Sequence, residues 1–141
     1  MQLSRNFTLE ELTATGTGLP NVPSADEQAC LRALAQHILQ PLRDALGKPV
    51  RVNSGFRSAK VNAAVGGAAS SQHRLGQAAD IVVAGMTPEA LARQIVRLGL
   101  PFDQLIWEPT WVHVSYGPRH RRETLKATRA AGGMVYRGWK P

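Results

Sequence analysis

Apolar residues at Leu31, Leu34, Ala35, Ile38, Leu42 and Leu46 recur at helical spacing and predict the longest helix of the chain. Ser24-Ala25-Asp26-Glu27 opens it as a capping box, and Gly47 supplies a stop. Pro41 lies inside the pattern and predicts a kink, because its ring removes a donor and crowds the preceding turn. A second capping box, Thr8-Leu9-Glu10-Glu11, predicts a short helix near the start. Thr87-Pro88-Glu89 starts another, which carries Leu91, Ile95, Val96 and Leu98. Ser58 to Val65 reads as a brief helix closed by Gly66-Gly67.

The strand-like runs are shorter. Val50–Asn53 and Ala78–Val83 are two of them. QLIWE and WVHVSY flank Pro109-Thr110 as a hairpin, and TLKAT and MVYRGW flank a turn at Gly132-Gly133. With helices leading and strands following, the expected fold class is α+β, helices packed on a small antiparallel sheet. One domain is expected over residues 1–141, since 141 residues suit one core and no repeat or linker interrupts the chain.

Composition narrows the picture. Apolar residues make up 43% and charged residues 19%, which is a folding composition rather than a disordered one. The single cysteine, Cys30, excludes an internal disulfide framework and a cysteine-rich metal site. No apolar run is long enough for a transmembrane helix, and MQLSRNFTLEEL lacks the apolar core of a signal peptide. The expectation is synthesis in the cytoplasm, with any extracytoplasmic action depending on release by another system.

The net charge is +7, and residues 119–141 hold seven Lys/Arg against Glu123 alone. Such a basic segment attracts polyanions. An anionic cell envelope is one candidate partner. Nucleic acid is a weaker one, because no recognition motif accompanies the charge. A solvated basic surface without a partner is the plain alternative.

The candidate chemistry lies in SSQHRLGQAAD, Ser70 to Asp80. His73 in a loop and Asp80 in the first turn of a strand can supply two ligands to a metal that takes three protein ligands and keeps one position open. Gly76 lets the chain bend between them and Ala78 keeps the floor clear. His113 is the best third ligand. Alternation puts Trp111, His113 and Ser115 on one face and Val112 and Val114 on the other. With Pro109-Thr110 as the turn, Glu108 opposes Trp111 and Ile106 opposes His113, so Glu108 and His113 project together. A carboxylate there can take a proton from an acidified water. Each residue also has an ordinary reading: a hydrogen-bonded histidine, a turn-capping aspartate, a surface glutamate. His37 and His120 are assigned no part in the site.

Taken together, Ser71-x-His73-x-x-Gly76-x-Ala78-x-Asp80 resembles the signature of the zinc D-Ala-D-Ala peptidases. That group includes bacterial carboxypeptidases, vancomycin-resistance dipeptidases and phage L-alanyl-D-glutamate endolysins. Trp111-Val112-His113 resembles its second motif, and VNSGFRS, Val52 to Ser58, its arginine-bearing segment. The likeness runs from about Phe7 to Tyr116 and is greatest for the small, single-domain phage and prophage branch.

The resemblance implies a zinc site at the sheet, with His73, Asp80 and His113 as ligands. Arg57 would bind substrate and stabilise charge on the attacked carbonyl, and Ser71 would hydrogen-bond substrate. The implied substrates are peptidoglycan stem peptides, met at the cell wall; a monomer is the default expectation. One departure stands out: many relatives carry the catalytic acid three residues before the last histidine, where this chain has Thr110. Glu108 is the nearby substitute and Asp103 a weaker one. The alternative function is an inactive zinc-containing wall-binding module, of the kind the related hedgehog signalling domain represents.

Overall fold

The computed structural model describes residues 1–141. Strands β1 (Gln2–Ser4) and β2 (Phe7–Thr8) form a small hairpin that the apolar pattern did not announce. Helix α1 (Leu9–Thr13) follows, with the Thr8 hydroxyl accepting from the Glu11 amide at 3.1 Å. At helix α2 (Ala25–Leu34) both halves of the Ser24–Glu27 capping box are formed. The helix then passes through a single wide π turn, Ala35–Leu39, into α3 (Gln40–Leu46), and Gly47 ends it at φ +63°. The wide turn is how the chain accommodates Pro41: the ring cannot donate to the carbonyl four residues back and crowds it, so the turn loosens instead of breaking.

Strand β3 (Arg51–Ser54), helix α4 (Ala59–Ala64), strand β4 (Ala78–Val82) and helix α5 (Pro88–Arg97) come next. Strands β5 (Gln104–Trp107), β6 (Val112–Ser115), β7 (Glu123–Ala130) and β8 (Gly133–Gly138) complete the chain. Six strands form one sheet in the order β3-β4-β6-β5-β7-β8.

The architecture is the expected α+β, but the sheet is not wholly antiparallel: β5 and β7 pair in parallel. The reason is topological. β6 already has β4 and β5 on its two sides, so the segment leaving it crosses to the free edge of β5 and arrives in the same direction. The last turn is also one residue earlier than expected, since Ala130 pairs with Gly133 and leaves Ala131-Gly132 as the loop.

Strand alternation divides the sheet into two functions. Ala79, Ile81, Leu105, Val112 and Val114 point into a core of 22 buried residues shared with α2, α3 and α5. Their neighbours point the other way. Across the sheet, Ser54, Asp80, His113, Ile106, Leu125 and Gly138 are successive register partners. Opposed residues share a face, so this row is the floor of the site.

A His-Asp-His centre at the sheet

Asp80 is the third of the five residues of β4 rather than part of a first turn, and it follows the buried alanines 78 and 79. It sits directly opposite His113 of β6. His73 reaches the same point from a one-turn 3-10 helix, Gln72–Leu75, where a plain loop was expected. The Ser71 hydroxyl caps that turn by accepting from the His73 amide at 3.2 Å. Gly76 ends it at φ +73°, where a Cβ would lie 2.6 Å from the Glu27 carbonyl oxygen. Glycine is therefore required there twice, by conformation and by the closeness of α2.

The ligand atoms of His73, Asp80 and His113 lie within 4.8 Å of one another. Asp80 Oδ1 is 3.2 Å from His73 Nε2 and 3.1 Å from His113 Nδ1. On its far side, His73 Nδ1 donates to the Gly55 carbonyl at 2.7 Å. A carbonyl only accepts, so the neutral ring carries its proton on Nδ1 and turns the Nε2 lone pair toward the carboxylate. Two acceptors at that separation repel unless a cation lies between them. The set is two imidazoles and one carboxylate, backed by a hydrogen bond that fixes a ring. It suits a divalent metal of the zinc type, with room left for a non-protein ligand.

The electrostatics agree. Burial works to raise the Asp80 carboxyl, but His113 and His73 outweigh it and hold it well below the usual carboxylate range. Burial also depresses His113, against the pull of Asp80, which favours the neutral ring a metal requires.

Arg57 is not a surface cation. Its Nη2 donates to Asp80 Oδ2 at 3.2 Å, its Nε to Ser54 Oγ at 2.9 Å and its Nη1 to Asn62 Oδ1 at 3.4 Å. The guanidinium thus orients the carboxylate ligand from behind while lining the same cleft.

The cleft has a volume of about 810 Å³ and includes Ser71, Glu108, Trp111 and Tyr136 in its walls. Glu108 follows β5, and its amide donates to the Trp111 carbonyl at 3.1 Å, closing the β5–β6 turn in the expected register. The residue is only 7% exposed. Burial first, and the nearby Asp80 charge second, push it up to about 7, with His73 opposing. Thr110 is exposed at the tip of the turn and does not line the cleft.

Asp103 is elsewhere engaged. It is fully buried and accepts from Arg121 Nε and Nη2, both at 3.0 Å, and from Gln72 Nε2 at 2.9 Å. It has no freedom to act as a base. His37 stacks on Tyr116 and His120 meets the same ring edge-on, with centroids 4.8 and 5.3 Å away, and neither histidine lines the cleft.

Sequence reasoning did not find Ser54, Gly55 and Asn62 as supports, nor Tyr136 in the wall. The first two stand beside Arg57 in the quoted segment and were within reach. Nothing local marks Asn62 or Tyr136.

Comparison with known proteins agrees with this geometry. The family model of peptidase M15 matches residues 5–115. The chain is also 41% identical over 78 residues to the zinc D-Ala-D-Ala carboxypeptidase of Streptomyces albus G, a match covering 54% of this chain and 31% of that protein. The chain thus aligns with less than a third of that relative's length. With most of its length matched, and the His73–Asp80–His113 centre inside the matched segment, the chain belongs to the peptidase M15 family.

Proposed function

We propose that the protein is a zinc-dependent peptidase that hydrolyses a bond in peptidoglycan stem peptides. The observation that carries this reading is the meeting, in one cleft, of three convergent metal-ligating atoms and a separate buried carboxylate, Glu108, free of other protein partners. The similarity to a zinc D-Ala-D-Ala carboxypeptidase supports the choice of metal and substrate.

His73, Asp80 and His113 would hold zinc, which when bound supplies Lewis acidity toward water and a peptide carbonyl. Glu108 accepts a proton from the attacking water and returns it to the leaving amine. Its position near neutrality suits both transfers. Arg57 keeps Asp80 oriented and, because it lines the same cleft, would offer positive charge to the carbonyl oxygen as charge develops there. The Ser71 hydroxyl, while accepting from the His73 amide, keeps its own proton for a substrate acceptor.

The finer reading is a D-Ala-D-Ala carboxypeptidase-like or endopeptidase activity of a phage or prophage lytic enzyme. It would be released to the wall by a partner, and the basic residues of the C-terminal segment would favour the anionic envelope. Mass spectrometry of soluble fragments from purified peptidoglycan treated with the zinc-loaded protein tests it. New peptide termini are expected, and their masses name the bond. Binding to the wall without any released fragment would replace the peptidase by a binding module.

A further inference from the structure

The β7–β8 hairpin lies beyond the segment shared with the family model, yet it supplies part of the cleft wall. Its register places one side chain in particular. β5 and β7 run in parallel with Trp107 beside Lys126, so Glu108, the next residue, comes level with Ala127. Ala127 in turn pairs with Tyr136 across the hairpin. Glu108, Ala127 and Tyr136 therefore form a row across three chains.

Leu125 is on the cleft face, Ala127 is two residues further along the same strand, and Tyr136 opposes Ala127, so all three share that face. Strands are about 4.8 Å apart, so the row spans roughly 10 Å from Glu108 to Tyr136. The alanine between them leaves a gap that a phenol can lean across. Tyr136 lines the cleft, is 49% exposed, and its hydroxyl has no protein partner. The raised phenol responds first to burial and then to the Glu108 and Asp80 charges, in keeping with that position.

Resting on the peptidase reading, we propose that Tyr136 is a further catalytic residue, whose phenolic O–H donates a hydrogen bond to the oxygen of the attacked carbonyl as charge grows on it. No proton is transferred, so the phenol remains neutral throughout. The hairpin is then part of the reacting site and more than an edge of the sheet.

The test compares Tyr136→Phe with the wild type, both zinc-loaded, in two measurements. With a stem-peptide substrate, kcat should fall roughly tenfold while KM changes little, the pattern of a contact made only in the transition state. With a phosphinate peptide, whose anionic oxygens imitate the tetrahedral species, the dissociation constant should rise by about the same factor. Zinc content and melting temperature serve as controls for folding. Equal phosphinate affinity in the two proteins overturns the role of Tyr136 even if the wild type cleaves peptides. Weaker phosphinate binding by the variant, from a wild type that cleaves nothing, keeps the Tyr136 contact and removes the peptidase reading. A wild type that neither cleaves nor binds removes both.

Discussion

Arg57 donates to Oδ2 of Asp80 and leaves Oδ1 to the two histidines. One carboxylate is thereby split between an orienting cation and a metal position. Loss of such a supporting hydrogen bond weakens metal affinity by about 10- to 100-fold. Arg57→Lys keeps the charge but loses the fork that joins Ser54, Asn62 and Asp80. The expected result is zinc affinity reduced within that range in competition with a chelating dye. Unchanged affinity would remove the orienting role.

Glu108→Gln should retain zinc and lose turnover by about a hundredfold or more. In the wild type, kcat/KM should decline as pH falls below about 7, the value to which burial and Asp80 raise the free carboxyl, with bound zinc moving that limb lower. The metal-free protein gives a second reading. A raised carboxylate makes the folded form hold its proton more tightly, so stability is lost as pH rises from about 4.5 through about 7. Metal-free Glu108→Gln should therefore melt higher than wild type at pH 8 and equally at pH 4. A constant difference across that range would refute the assignment.

Thr110, three residues before His113, is exposed at the turn and outside the cleft. A carboxylate placed there cannot reach the proton that Glu108 reaches. Adding Thr110→Glu to Glu108→Ala is expected to restore no measurable hydrolysis. Recovery of activity would show that the turn can reverse its faces.

Asp103 is a structural anion. Burial works to raise its carboxyl, but the Arg121 and Gln72 hydrogen bonds prevail and bring it to about 2, against 3.8 for a free side chain. The lowered value contributes roughly 2 kcal/mol above pH 4, and this is lost as pH falls through about 2. Asp103→Asn should destabilise the protein at pH 7 by about 3 kcal/mol, because Arg121 loses its buried partner. The gap between the two unfolding curves should narrow on acidification, and a gap independent of pH would count against this account.

What could be read in the sequence was what local periodicity encodes. The alternation Trp111-Val112-His113-Val114-Ser115 placed His113 on the face opposite the core, and the turn at Pro109-Thr110 fixed Glu108 and Ile106 against it. Gly76 announced the bend that returns the chain to Asp80. What escaped depends on distant partners. Nothing near Arg57 says that its guanidinium meets a carboxylate 23 residues away. The parallel pairing of β7 follows from which strand edges remain free, and Tyr136 enters the cleft only through that pairing. The basic segment also has partners that its sequence does not reveal. Arg122 packs over Phe102, Lys126 over Trp107, and Arg121 clasps Asp103, so part of its charge serves the fold.

Asp80 and His113 are opposed across β4 and β6, and this has a consequence for how the chain reaches its native state. A slip of one residue between these strands would set a valine against Asp80 and turn the imidazole into the core. Only the correct pairing assembles the three ligands. A metal that binds the native arrangement alone stabilises it selectively by mass action. The ion thus edits the strand alignment as well as equipping the site, and chains paired out of step gain nothing from its presence.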